Sequence, residues 1–195
     1  MRHTPFLFAI ALALAGCTTT KPVTEVTRFH LGQPIPSDAI AVVPGAGMDG
    51  KSLEFRTYAG TVEVALGGAG FRPAADDGRT AYFGVLSVTQ ETRPGVPKSS
   101  PFRIGIGGST GGYGGGVGAG VTVPVGASRT GDVKLNTVGL QIKRRSDNTM
   151  VWEGKASSER PADDPGAALT IAVPELTRAL LADFPGISGQ TVKVK

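Results

Sequence analysis

The sequence predicts one small domain that mixes strands with two helices, and three observations carry that reading. Phe55, Tyr58, Ala59, Val62, Ala65, Leu66 and Ala69 fall at helical spacing and give one apolar face. Val138, Leu140 and Ile142 alternate with Gly139, Gln141 and Lys143, which marks a half-buried strand. Leu169, Ala172, Val173, Leu176 and Leu180 then form a second helical stripe. At 195 residues the chain is long enough for one such domain with its own core.

The elements follow in chain order. Residues 18–27 are polar and aperiodic, so 17–28 read as a flexible tether and 29–195 as the folded part. Ala39 to Val43 is an apolar run closed by Pro44-Gly45, a buried strand. Asp49 or Ser52 is placed to cap the first helix, and Gly67-Gly68 to give it a left-handed exit. Tyr82 to Gln90 is rich in β-branched and aromatic residues and reads as a strand.

From 104 to 128 there is no charge, and ten of the sixteen residues from Gly105 to Gly120 are glycine. Alternation of Ile104 with Ile106, and of Val121 with Val123 and Val125, predicts a glycine-tipped hairpin over 104–125. Its uncharged edge is a candidate partner edge at Ile106, Tyr113 and Val117, either taking a partner by strand addition or lying against lipid or peptidoglycan.

Ser146-Asp147-Asn148-Thr149 is a turn, and Val151 to Ala156 returns as the partner strand. Trp152 there is expected in the core, its N–H finding one acceptor. Asp164 as cap and Pro165 at the first position open the second helix, which Pro174 is expected to kink or split. Pro185-Gly186 ends it, and Gln190 to Lys195 reads as a final edge strand.

Charge and cysteine content exclude several classes. The formal net charge is only +4, and the basic residues are scattered apart from Lys143-Arg144-Arg145, so nucleic acid is not an expected partner. That basic triplet reads as solvated surface, with a touch of anionic lipid as the sharper alternative. The single cysteine rules out a disulfide framework and a multi-thiolate metal site.

Residues 1–16 differ from the rest. Arg2 precedes an unbroken apolar run from Phe6 to Ala15. As a helix that run would rise roughly 15 Å, half of a ~30 Å hydrocarbon core, which suits a signal-peptide h-region rather than a span. It ends in Leu14-Ala15-Gly16-Cys17. This resembles the lipobox of bacterial lipoproteins, in which the peptide is cut before the cysteine and that residue receives acyl chains. The resemblance implies lipid attachment at Cys17. One chain anchors only marginally, whereas two or three hold a protein on the bilayer. Thr18, not an aspartate, follows, and in that group this favours the outer membrane.

The order of lipobox, 39–43 strand, amphipathic helix, Gly68-Ala69-Gly70-Phe71, glycine-rich hairpin, Val151-Trp152-Glu153-Gly154 and a helix ending Asp183-Phe184-Pro185 is distinctive. It resembles the lipoprotein family catalogued as domain of unknown function 4136, over most of 29–185. The resemblance implies an α+β fold, a mostly antiparallel sheet with two helices packed on one face, following a signal peptide and tether. It implies no activity. The chain departs from it in a longer insertion around 89–101.

Catalytic groups are sparse. His30 is the only histidine after residue 16, and no Gly-x-Ser-x-Gly elbow surrounds a serine. Asp76-Asp77 and Asp163-Asp164 lack the alternating spacing of a calcium loop and read as turns. A phosphate loop needs a helix after its glycines, and a valine-rich strand follows here. No cofactor and no metal are expected. The expectation is a non-enzymatic binding or adaptor lipoprotein of the cell envelope, facing the periplasm, with an envelope protein or peptidoglycan as partner. The alternatives are an envelope hydrolase on cell-wall or lipid substrate, with His30 or acidic residues as base, and a structural lipoprotein supporting surface assembly.

Overall fold

The computed structural model describes residues 22–95, 103–106, 121–124 and 131–194. The expected signal peptide (1–16), Cys17, and residues 107–120, with the expected glycine tip, Tyr113 and Val117, lie outside them.

The fold is α+β: a seven-stranded sheet and two helices. The strands are β1 (Thr24–His30), β2 (Ala39–Pro44), β3 (Arg72–Pro73), β4 (Tyr82–Arg93), β7 (Val133–Arg144), β8 (Met150–Pro161) and β9 (Thr191–Val194), in the spatial order β3-β2-β4-β7-β8-β1-β9. Between β4 and β7, strands β5 (Arg103–Ile106) and β6 (Val121–Pro124) pair antiparallel with each other, Ile104 opposite Val123 and Ile106 opposite Val121. This is the hairpin expected from their alternation.

The sheet is mixed, which corrects the mostly antiparallel sheet expected. Strand β2 runs parallel to both β3 and β4, while β4, β7, β8, β1 and β9 pair antiparallel in turn. The cause is the helix between them. A strand that returns through α1 (Leu53–Gly68) comes back in the same direction, whereas a short turn, as between β7 and β8, reverses it. A second correction concerns the tether. Residues 24–28, assigned to it above, belong to β1, which sits between β8 and β9.

Helix α1 begins where Ser52 accepts the Phe55 N–H at 3.0 Å. Its exit lies further on than Gly67-Gly68. Gly70 takes the left-handed turn (φ +99°), with Gly70 N–H donating to Gly67 O and Phe71 N–H to Leu66 O. That pattern satisfies two terminal carbonyls. Asp164 does cap, but it caps a 3-10 turn over Pro165–Ala167, and α2 (Leu169–Leu181) starts afterwards and runs unbroken through Pro174.

Both helices pack on the sheet face formed by the even-numbered positions. Ile40, Val42, Leu86, Val138, Leu140, Ile142, Trp152 and Ala156 join Phe55, Val62, Leu66, Val173, Leu176 and Leu180 in one buried cluster. Trp152 is fully buried, its Nε1–H donating to Pro185 O at 2.9 Å and its ring 5.3 Å from that of Phe184. No helix among the described residues is long and apolar enough to cross a membrane.

Candidate binding face

Strand alternation sends odd-numbered side chains to the opposite face, which neither helix covers. The registers stack them into rows across the sheet. Val85, Gln141, Glu153 and Phe29 form one row, and Ser87, Gly139, Lys155 and Thr27 the next. The glycine matters here. A side chain at 139 would meet Ser87 Oγ at 2.6 Å, so Gly139 keeps the floor low between taller neighbours. The result is a trough of about 690 Å³ lined by Phe29, Val85, Ser87, Gln141, Glu153 and Lys155 among others. That volume falls within the ~300–1,000 Å³ usual for ligand sites. Phe29, 48 % exposed, puts an aromatic surface beside an opposite-charge pair of rows, Glu153 and Lys155. Chemically the trough offers aromatic contact, amide and hydroxyl hydrogen bonds, and one charge of each sign.

The sequence-selected residues lie elsewhere. His30 is tied through both ring nitrogens: Gly32 N–H donates to Nδ1 at 3.1 Å, which leaves the proton on Nε2, 3.2 Å from Gly186 O. Asp76 pairs with Arg145 (2.7 Å), and Asp77 accepts the Arg79 N–H. The structure therefore gives His30 and Asp76 local fastening roles. Asp164 Oδ1 accepts the Gly166 N–H, while Asp163 lies one residue before it in the same turn. Among the described residues no group of three His, Cys, Asp or Glu side chains could hold a metal ion.

The basic triplet is partly built into the fold, a correction to its reading as solvated surface. Arg145 donates to Thr80 O and Thr80 Oγ1, pairs with Asp76 and stacks over Phe83 at 5.2 Å. Arg144 pairs with Asp147. Ile106 pairs with Val121 in the β5–β6 ladder, and Tyr113 and Val117 fall outside the described residues.

Sequence reasoning missed two features. The trough was one; its signal was Gly139 and Gln141, alternate positions of β7 noted above only as the other side of a half-buried strand. The other is a polar row at the end of the sheet where β1 begins, of which Asn136 and Ser158 are buried. Gln90, Asn136, Ser158 and Thr24 stand in one row, and Asn136 Nδ2 and Gln90 Nε2 both donate to Ala167 O, at 3.0 and 2.9 Å. Asn136 and Gln90 thereby hold the 3-10 turn onto the sheet.

No family model matches the chain. It is similar to an uncharacterized protein of Zymomonas mobilis subsp. mobilis, 29 % identical over an alignment 230 positions long, gaps included, that covers 97 % of this chain and 85 % of that protein. Among solved structures, a PDZ domain protein from Parabacteroides distasonis shares the fold at a TM-score of 0.52 and 10 % identity, over 88 % of this chain and 39 % of that one. A PelC dodecamer from Paraburkholderia phytofirmans aligns at a TM-score of 0.43 and 10 % identity, over 82 % and 95 %.

Proposed function

We propose that the protein is a non-enzymatic binding or adaptor lipoprotein of the cell envelope, lipidated on Cys17, set on the outer membrane facing the periplasm, and using the helix-free sheet face to hold a partner. The lipobox at 14–17 supports the location, together with the short polar segment between Cys17 and β1. One observation carries the binding role: the 690 Å³ trough on a sheet face that the core does not need. A face whose only task was solvation would have no reason to combine an exposed Phe29 with a lowered glycine floor. The partner is an envelope protein or peptidoglycan, whose sugars and peptides both suit aromatic stacking flanked by amide and charged groups.

A photoreactive amino acid at Gln141, in cells, tests this. A discrete adduct that is missing with the same group at Ser146, outside the trough, supports the reading. No adduct at Gln141 or at Phe29, from folded and anchored protein, overturns it.

A further inference from the structure

Helix α1 turns Phe55, Tyr58, Ala59, Val62 and Leu66 to the core. On a helix of 3.6 residues per turn, Leu53, Thr57, Gly60, Thr61, Val64 and Gly68 fall within an arc of about 100° on the opposite side. That arc holds no charged residue. Leu53 and Val64 are 74 % and 79 % exposed, more than any other large apolar side chain among the described residues. A solvated helix face carries polar and charged groups instead. The two threonines do little to make it polar, because Thr57 Oγ1 donates to Leu53 O at 2.9 Å and Thr61 Oγ1 to Thr57 O at 3.1 Å.

The stripe is shaped to receive a copy of itself. Leu53 stands at one end, Gly68 at the other and Gly60 near the middle. At both glycines a Cβ would meet nothing within 4 Å. Let a second α1 lie antiparallel, related by a two-fold axis between Gly60 and Thr61. Leu53 then falls over Gly68 of the other copy, Thr57 over its Val64, and Gly60 beside its Thr61. Each projection meets a gap or a smaller group, and the glycines let the two backbones come close.

The charges agree with this register. Arg56 and Glu63 border the stripe on one side, and Glu54 borders it on the other. Neither Arg56 nor Glu63 joins an ion pair among the described residues. The two-fold axis brings like borders together. Arg56 therefore comes within about 3 Å, along the helix axis, of the level of Glu63 in the other copy, and the reverse pair forms as well.

We infer that the outer face of α1 is an interface between two copies of this chain, packed antiparallel across Gly60 with Arg56–Glu63 pairs on its rim. Such rim pairs set register more than affinity. One helix pair is a small contact, at the transient end of specific complexes, so the test traps it.

The test uses the full chain in its own host. Gly60→Cys places a thiol beside the axis, where close backbones bring the two Cα atoms within the roughly 7 Å that a disulfide can bridge. Mild oxidation is expected to join position 60 to position 60 of a second copy. Mass spectrometry of the linked peptide identifies that bond and keeps Cys17 out of the reading. The yield is expected to be several-fold above that of the 146–146 link in Ser146→Cys, which sits in the turn between β7 and β8. Adding Arg56→Glu to the Gly60→Cys chain is expected to lower the yield several-fold, and adding Glu63→Arg as well to restore it. A yield at 60 no higher than at 146, or one that ignores these charge changes, overturns the inference. So does a loss that Glu63→Arg leaves unrestored, or a link from position 60 to a different protein in place of a second copy.

Discussion

Arg28 reaches out of β1 to the C-terminal end of α2, its Nε donating to Leu180 O at 2.9 Å. Its Nη2 also donates to Ala179 O and Ala182 O. The side chain thus supplies donors to carbonyls that have no partner within the helix and places a cation at the negative end of its dipole. Burial pulls the guanidinium pKa below its usual value, and Asp183 acts the other way. Replacing Arg28 with methionine keeps most of the volume and strands three carbonyls, so about 2–4 kcal/mol of stability is expected to go. Arg28→Lys restores only part, because one nitrogen cannot match the fork. Urea denaturation of both variants checks this.

Gly154 is the contact on which α2 rests. A Cβ there would lie 2.5 Å from Trp152 Cη2 and 2.8 Å from Leu180 Cδ1. Gly154→Ala is expected to cost about 1–3 kcal/mol by forcing that helix off the sheet. Gly131→Ala, with nothing within 4 Å, is the matched control and should shift the urea midpoint little.

Asn136 is fully buried and holds the 3-10 turn with Gln90. Asn136→Ala leaves the Gln90 amide and Ala167 O with fewer partners, at an expected cost of about 1–3 kcal/mol. Faster amide exchange at Gly166 and Ala167, seen by NMR, would place the loss at that turn; unchanged exchange there would contradict the role given to Asn136.

Asp38 is held below the usual carboxylate pKa, first by the Ala39 N–H and then by Arg72. Asp147 is likewise depressed, first by the Thr149 N–H. A folded-state pKa below the unfolded one gives stability that is present above the unfolded value, near 3.9, and lost as pH falls through the folded value. Asp38→Asn is therefore expected to be slightly less stable than the parent at pH 7 and equal to it in strong acid. Thermal unfolding from pH 7 to pH 2 reads the convergence. A gap that stays constant across the range would contradict it.

Some of this architecture was readable from residues alone. The stripe from Phe55 to Leu66, the Ser52 cap and the β7–β8 hairpin each announce themselves through periodicity or turn chemistry, and the structure holds them where expected. Strand β1 did not, because its inward positions are Val26 and Arg28. A buried arginine erases the alternation that marks a half-buried strand, and its partners lie about 150 residues away in α2. The parallel pairing of β2 with β4 was legible in principle, since strand, helix, strand is the order that gives it. The trough was harder. Its side chains come from β1, β4, β7 and β8, and only the register brings Phe29, Gln141 and Val85 into one row.

The proposed place of the protein in the envelope depends most on what Cys17 carries. Mass analysis of the protein taken from the envelope of its own host is the direct measurement. The expected result is a chain that begins at Cys17 and is heavier than that peptide by a diacylglyceryl group and an acyl chain. A free thiol at Cys17, or an N-terminus still starting at Met1, would contradict the account.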